Sequence, residues 1–76
     1  MKKLLTEFNM KDFGIRLKEV RIKNKVSMEK LAKAINVDHS NISRWENGKV
    51  IPSCYYLKLI CDYFDVSADY LLGRID

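Results

Sequence analysis

The chain has 76 residues, of which 47% are apolar and 32% are charged, and this composition fits one small soluble domain with a single packed core. A domain of this size buries only about 60% of the surface that its unfolded chain exposes, so we expect no catalytic cleft for a large substrate. Fourteen Lys and Arg against ten Asp and Glu give a net charge of +4, which indicates an anionic partner.

Apolar residues recur at spacings of three and four along most of the chain, which predicts a set of short helices rather than strands. The pattern begins near Met10, so we expect an N-terminal arm over residues 1–9 and one all-α domain over residues 10–76. The first helix is predicted to run from about Met10 to Asn24. Its buried face is predicted to consist of Phe13, Leu17 and Val20.

Polar caps delimit the next two predicted helices. Ser27 caps the second, which ends at Asn36, the non-glycine residue that best tolerates a left-handed conformation. Asp38 caps a third helix over about residues 39–46, and Gly48 forms the turn after it. The residues that we expect to be buried in these two helices are Leu31, Ala32, Ile35, Ile42 and Trp45.

Two further helices complete the predicted fold. Pro52 and Ser53 open the fourth helix, and Ser67 caps a short fifth helix that ends before Gly73. The residues predicted to face inward in the fourth helix are Leu57, Ile60, Cys61 and Phe64, and the fifth helix carries Leu71 and Leu72.

The cysteines and the single histidine argue against several kinds of site. Cys54 and Cys61 are seven residues apart in a predicted helix. That spacing corresponds to about 10 Å, whereas a disulfide needs Cα atoms within roughly 7 Å. Without a C-x-x-C pair and with one histidine, a zinc site would lack ligands, and we expect no metal or other cofactor. The apolar run near the N-terminus stops at Thr6, and no run approaches the length of a membrane span, so we expect a cytoplasmic protein without membrane contact.

The second and third predicted helices have the arrangement of a helix-turn-helix. They are separated by the three residues Asn36-Val37-Asp38, a turn length that sets two helices at a steep angle. Burial of Ile42 and Trp45 turns the opposite side of the third helix outward. That side carries short polar groups and one arginine, in place of the Glu and Lys pairs of an ordinary solvated helix: His39, Ser40, Asn41, Ser43 and Arg44. Such groups suit the base edges and phosphates of DNA.

Three segments in the same order resemble the signature of the Cro/phage-repressor helix-turn-helix family, also called the XRE family of bacterial regulators. They are Ile42 to Lys49, Ile51 to Ser53, and Val66 to Gly73, and the similarity covers about residues 11–74. The resemblance implies a compact five-helix, lambda-repressor-like domain that binds operator DNA, usually as a symmetric dimer, with its third helix in the major groove. It also implies a bacterial, phage or mobile-element regulator that is associated with the nucleoid when bound.

The resemblance further implies roles for individual positions. The positions that match base-reading residues are His39, Ser40, Asn41 and Arg44. The positions that we expect to contact phosphate are Ser27, Met28, Ser43, Asn47, Lys49 and Ser53. The family often has Gln in place of Met28, so only the backbone N–H is expected to contact phosphate there. It often has an acidic residue in place of Lys30, so the capping box with Ser27 is incomplete.

Some of these roles have alternatives. Arg44 is the strongest candidate for base reading, because a guanidinium can donate two parallel hydrogen bonds to O6 and N7 of guanine. Its alternative is a phosphate contact only, and the alternative for His39 is a plain surface position. If His39 contacts DNA, affinity should rise in acid solution, where an imidazole is protonated. For Lys11, Arg16 and Lys33 a solvated surface is at least as well supported as a phosphate contact.

Two further matches concern structure rather than DNA contact. Arg21 and Glu46 stand at family positions that form a partly buried ion pair between the first and third helices, and we interpret them as structural. Asp65 stands where the family often has glycine at a helix end, which leaves the turn before Val66 undetermined.

The last third of the chain differs in charge from the rest. Residues 1–49 carry twelve basic and six acidic side chains, or +6, whereas residues 50–76 carry two basic and four acidic ones, or −2. We therefore expect the last third to face away from DNA. It has more apolar side chains than its helices can bury, and the surplus predicts an interface with a second copy or with another protein, such as a toxin or an anti-repressor. The predicted interface residues are Tyr55, Tyr56, Leu59, Tyr63, Tyr70, Leu72 and Ile75.

The leading hypothesis is a sequence-specific double-stranded-DNA-binding transcriptional regulator that represses as a homodimer on a pseudo-palindromic operator. The alternative is an antitoxin or adaptor whose C-terminal helices bind a partner protein. An enzyme is not expected, because neither Cys54 nor His39 has an evident partner to orient it as a nucleophile or base.

Overall fold

The computed structural model describes residues 8–75, which fold into five α-helices without a strand. The helices are α1 (Met10–Lys23), α2 (Met28–Ile35), α3 (His39–Glu46), α4 (Cys54–Phe64) and α5 (Ala68–Leu71). The five-helix prediction is confirmed, and the helix ends lie close to the predicted ones. Residues 1–7 of the predicted arm and Asp76 lie outside the described residues. Within residues 8–75, no helix has the length and apolar character that a membrane span requires.

A polar side chain caps the N-terminus of each of these helices. The oxygens of Ser27, Asp38, Ser53 and Ser67 accept hydrogen bonds from backbone N–H groups at the starts of α2 to α5, at 3.0, 3.0, 3.4 and 3.0 Å respectively. Asn9, which the sequence analysis did not assign, caps α1 in the same way. Each cap satisfies a donor that has no partner within the helix, which explains why the helices begin at these residues.

Left-handed residues end two of the helices. Asn36 ends α2 with φ of 57°, as predicted, and Asp65 ends α4 with φ of 55°. Asp65 therefore adopts the conformation for which glycine is usually selected, and the turn before Val66 is of the ordinary left-handed kind. Lys25, in the loop after α1, also has a positive φ of 58°, which no sequence signal indicated.

The core lies where the five helices meet. Its six largest fully buried side chains come from every helix: Phe13, Leu17, Leu31, Ile42, Ile60 and Leu71. Trp45 closes the core from α3, and its ring lies 5.8 Å from that of Tyr56. No short segment of the chain could bury these residues alone, so the stability of each helix depends on the others.

Two residues predicted to face inward are only half-buried. Leu57 and Cys61 pack against the edge of the core rather than within it. The reason is that α4 packs against α2 and α5, and its buried strip narrows to Ile60 and Phe64. Desolvation of the half-buried Cys61 thiol raises its pKa.

Arg16 connects α1 to the C-terminal end of the described chain. Its Nε lies 3.0 Å from Oδ2 of Asp12, and its Nη1 donates to the carbonyl oxygens of Tyr70 and Ile75 at 3.2 and 3.1 Å. The guanidinium also lies over the Tyr70 ring, 4.9 Å from its centre. Arg16 is therefore half-buried and bonded within the protein. The sequence had suggested either a solvated surface position or a phosphate contact for it.

Candidate nucleic-acid interface

The turn between α2 and α3 has a well-defined geometry. The left-handed Asn36 reverses the chain, and the backbone N–H of Val37 donates to the carbonyl of Ala32 at 2.9 Å. The Ala32 carbonyl also accepts from the backbone N–H of Asn36, so these two bonds close the last turn of α2. The Val37 side chain packs against the core and holds the turn in place. Asp38 then starts α3, so the two helices form a helix-turn-helix.

A close approach of two backbones positions α3 against α1. Gly14 lies in the middle of α1, and a Cβ built on it would come within 2.6 Å of the Trp45 carbonyl oxygen and also contact the Glu46 carbonyl. Real Cβ atoms essentially never approach an atom this closely, so the crossing requires glycine. This role of Gly14 was not predicted from the sequence. The available signal was a glycine inside a helical pattern, where its cost relative to alanine calls for a packing reason.

A buried ion pair joins the same two helices. The guanidinium of Arg21 donates through Nε and Nη2 to the two carboxylate oxygens of Glu46, at 2.6 and 3.0 Å. Its Nη1 donates to the carbonyl of Val26 at 2.9 Å. Arg21 is 9% exposed and Glu46 is 7% exposed. The hydrogen bond with Glu46 raises the pKa of Arg21, and the bidentate geometry fixes the rotation of α3 about its axis.

These constraints determine which side of α3 faces outward. Ile42, Trp45 and Glu46 are buried, and the five polar residues proposed to contact DNA lie on the remaining faces. His39 and Arg44 are exposed, whereas Ser40, Asn41 and Ser43 are half-buried. Nη1 of Arg44 lies 3.4 Å from the amide oxygen Oδ1 of Asn41, so these two side chains lie side by side on one surface.

The residues expected to contact phosphate are distributed around α3. Ser27 and Met28 begin α2, and Ser53 immediately precedes α4, so two helix N-termini present free backbone N–H groups. The amide nitrogen of Asn47 lies 3.3 Å from the Ser43 hydroxyl. The remaining members of the set differ in exposure: Lys49 is exposed, whereas Met28 is half-buried and packs against the core.

Fewer residues of the predicted apolar interface are exposed than the sequence suggests. Tyr55 is 66% exposed, Ile75 is 52% exposed and Tyr63 is 39% exposed. The other four members are half-buried and pack against the core: Tyr56, Leu59, Tyr70 and Leu72. Tyr55 packs edge-on against Tyr56, with ring centres 5.1 Å apart. Apolar side chains are also exposed on α1 and in the loop after α3, which the sequence analysis did not single out: Ile15, Ile22, Val50 and Ile51.

Comparison with known proteins identifies the family. A family model described as helix-turn-helix matches residues 17–71, which include all of α2, α3, α4 and α5. The chain belongs to the Cro/repressor-like XRE family of helix-turn-helix transcriptional regulators. The resemblance stated from the sequence is therefore confirmed.

Three relatives of this XRE-family chain illustrate the match. The transcriptional activator BcrR of Enterococcus faecalis is 36% identical over 62 residues, which are 82% of this chain and 30% of BcrR. The P22 c2 repressor, solved with a synthetic operator, gives a TM-score of 0.79 at 28% identity over 92% of this chain and 100% of that chain. SinR, a regulator of biofilm formation solved with DNA, gives a TM-score of 0.72 at 33% identity over 79% of this chain and 97% of that chain.

The matched region is a fraction of the longer relatives. The chain spans between 30% and 54% of the length of the curated regulators that it matches. The similarity therefore identifies a DNA-binding fold of a transcriptional regulator family.

Proposed function

We propose that this protein is a sequence-specific DNA-binding repressor that acts as a homodimer on a pseudo-palindromic operator. The observation that carries the proposal is the outer face of α3, whose donors and acceptors are held in a fixed orientation by the buried pair of Arg21 and Glu46. The solved complexes of P22 c2 repressor and of SinR with DNA support it by similarity of fold. Such a protein requires no cofactor or metal ion and acts at the nucleoid of a bacterial cell.

Repression is a simpler mode of regulation than activation for so small a domain, because blocking polymerase requires only occupancy of the operator. BcrR is an activator and P22 c2 a repressor, so the family includes both modes. In-vitro transcription from a promoter that overlaps the selected site tests the mode directly. A fall in transcript that follows the binding curve supports repression, and a rise contradicts it.

In this proposal, α3 reads bases in the major groove and the surrounding elements contact the backbone. The base-reading residues are His39, Ser40, Asn41 and Arg44. The phosphate-contacting residues are Ser27, Met28, Ser43, Asn47, Lys49 and Ser53. Phosphate contacts set the position of the protein on the duplex, and the base contacts supply the sequence preference.

Selection of bound sites from random duplex DNA, followed by substitution of Arg44, tests base reading. Arg44→Ala should cost about 1–3 kcal/mol on the preferred site and flatten the preference at one base pair. Arg74→Ala is the matched control, because Arg74 is also an exposed arginine but pairs with Asp69 in the acidic last third. Equal loss on every sequence would assign Arg44 to a phosphate instead.

The dimer is proposed to form through the exposed apolar residues of the last third, so that two copies of α3 lie about 34 Å apart and enter successive major grooves. Tyr55→Ser with Tyr63→Ser should shift sedimentation equilibrium toward the monomer and weaken binding to the full operator. Ile22→Ser is the control, since Ile22 is 56% exposed on α1. A selected consensus with a single half-site and no palindrome would overturn the dimer.

The second candidate function is that of an antitoxin or adaptor. It is favoured by the exposed side chains of Tyr55 and Tyr63 on α4, the helix that also carries the exposed ion pair of Lys58 and Asp62. Co-expression with neighbouring gene products tests it. A stable heterocomplex that is lost in the Tyr55→Ser, Tyr63→Ser variant would support a partner protein, and a homodimer under the same conditions would support the operator model.

A further inference from the structure

Asp38 has a second feature besides its role as the cap of α3. Its side chain is 70% exposed, at the end of α3 that leads into the proposed base-reading face. Oδ1 accepts a hydrogen bond from the backbone N–H of Ser40 at 3.0 Å and lies 3.5 Å from Nδ1 of His39. An ionised carboxylate has about four lone-pair positions, and the cap uses one of them. The carboxylate can therefore keep its structural bond and accept another donor from outside.

Asp38 lies close to two of the proposed base-reading residues. It directly precedes α3 with an extended backbone, and the backbone N–H of Asn41 donates to its carbonyl at 2.9 Å. Asn41 and Arg44 are three residues apart, a spacing that makes them neighbours on the helix surface, and Nη1 of Arg44 lies 3.4 Å from Oδ1 of Asn41. The first two turns of α3 and its cap thus present a carboxylate, an amide and a guanidinium. Each of these groups prefers a different base edge.

The charge of Asp38 persists at neutral pH. The hydrogen bond from Ser40 lowers the pKa of its carboxyl below the ordinary value, and the positive charge of Arg44 contributes to the same shift. An ionised carboxylate only accepts hydrogen bonds. In the major groove the donors are the amino groups of cytosine and adenine, whereas guanine and thymine present acceptors that repel a carboxylate.

We propose that Asp38 is a specificity-determining residue, which accepts a hydrogen bond from the amino group of a cytosine or adenine and excludes guanine and thymine at the base that it faces. This inference rests on the proposed reading of DNA by α3. Cytosine is the favoured base of the two, because adenine carries the N7 acceptor beside its amino group and N7 repels the carboxylate.

The carboxylate has an electrostatic cost that makes the proposal testable. A negative charge within a Debye length of about 8–10 Å from phosphates weakens binding to every sequence. Removing this charge should therefore raise affinity for random DNA while lowering discrimination at one base. If Asp38 only caps α3, its removal would change neither the affinity for random DNA nor the discrimination between bases. If it only repels phosphate, its removal would raise the affinity and leave the discrimination unchanged.

The variant for the test is Asp38→Asn, because asparagine is as good a helix cap as aspartate and has nearly the same shape. The matched control is Asp65→Asn. It removes the same charge from an exposed position at the far end of α4, and asparagine also tolerates the left-handed conformation found there. Circular dichroism and thermal unfolding of both variants establish that the fold is retained.

Sites are first selected from random duplex DNA with the unmodified chain. Dissociation constants are then measured on four duplexes that carry C, A, G or T at each position of the consensus in turn. We expect one position at which the unmodified chain prefers C or A over G and T by about tenfold or more. The asparagine amide donates as well as accepts, so Asp38→Asn should reduce the preference for C over G and T below about threefold and bind random DNA more tightly, while Asp65→Asn keeps that preference.

Three outcomes overturn the inference, and they can be told apart. If Asp38→Asn changes neither the affinity for random DNA nor the preference at any position, Asp38 only caps α3. If Asp38→Asn raises affinity by one factor on all four bases at every position, Asp38 acts on the phosphates alone and reads no base. If the unmodified chain selects no consensus, sequence-specific binding itself fails, and the inference about Asp38 fails with it.

Discussion

Glu46 provides the sharpest test of how α3 is held. Replacing it by alanine removes both acceptors of the Arg21 guanidinium, at 2.6 and 3.0 Å, and leaves the buried arginine with the Val26 carbonyl alone. A charge that loses its partner in a buried site retains the cost of its desolvation. Glu46→Ala should therefore lower stability and, because α3 loses its attachment to α1, also weaken DNA binding.

The size of the effect follows from the geometry. Breaking a buried ion pair costs about 3–5 kcal/mol, and the residual exposure of Arg21 and its bond to Val26 reduce this to about 2–4 kcal/mol. A chain of this length is stable by about 4–11 kcal/mol in total, so the variant retains a folded population. The melting temperature should fall by roughly 8–32 °C, because 1 kcal/mol shifts a domain of this size by about 4–8 °C.

Thermal unfolding followed by circular dichroism measures this shift, and Glu19→Ala is the control because Glu19 is exposed on α1. In the double variant Arg21→Met, Glu46→Leu, apolar groups replace both charges, and its stability should exceed that of Glu46→Ala. Because the pKa of Arg21 is raised in the folded state, the pair contributes its full stability at pH values below the pKa of arginine in the unfolded chain. This contribution is lost only in strongly alkaline solution, as the pH rises through the pKa of Arg21 in the folded state. An unchanged melting temperature in Glu46→Ala would refute the structural role of the pair.

Three further predictions concern single residues. Gly14→Ala should lower the free energy of unfolding by about 2 kcal/mol or more, because its Cβ would meet the Trp45 carbonyl at 2.6 Å, and this outweighs the better helix propensity of alanine. Chemical denaturation measures the change, and a more stable variant would contradict the close approach. Asp65→Gly should stabilise by up to about 1 kcal/mol in the same assay, since glycine adopts the left-handed conformation without strain, and a loss of stability would count against that explanation. The pKa of Asp38 is lowered by the hydrogen bond from Ser40, so its charge stabilises the fold above the unfolded pKa and this contribution is lost as pH falls through the lower folded value. The melting-temperature gap between the unmodified chain and Asp38→Asn should therefore narrow below about pH 4, and a gap that is constant down to pH of about 2.5 would argue against it.

Helix bounds were predictable because their determinants are local. Ser27, Asp38, Ser53 and Ser67 each bond to a backbone group two or three residues away, so a short stretch of sequence contains both partners. The left-handed end of α2 at Asn36 is equally local.

Features that join distant segments of the chain were harder to predict from the sequence. Arg16 bonds to the carbonyls of Tyr70 and Ile75, which lie 54 and 59 residues further along the chain, and nothing near Arg16 in the sequence identifies them. Gly14 is determined by a helix crossing that exists only in the folded state. The depth at which Tyr56 and Tyr70 are buried likewise depends on how α4 and α5 pack, which periodicity does not specify.

The candidate site was predictable in part. The polar face of α3 followed from its periodicity once Ile42 and Trp45 were placed inside. The accessibility of the Asp38 carboxylate beyond its cap, and the contact between Asn41 and Arg44, required the structure.

The division of α3 into two sides has a consequence for how such a protein can acquire new targets. The contacts that hold α3 against α1 involve its inner side, through the ion pair of Glu46 and the close approach of Gly14 to the Trp45 carbonyl. His39 and Arg44 are exposed on the other side and bond to no residue of another helix within the described chain. If His39 and Arg44 read bases as proposed, mutations at these positions can change the preferred DNA sequence without compensating changes elsewhere. Divergence of duplicated genes, or a library randomised at these codons, could explore new specificities on an unchanged scaffold.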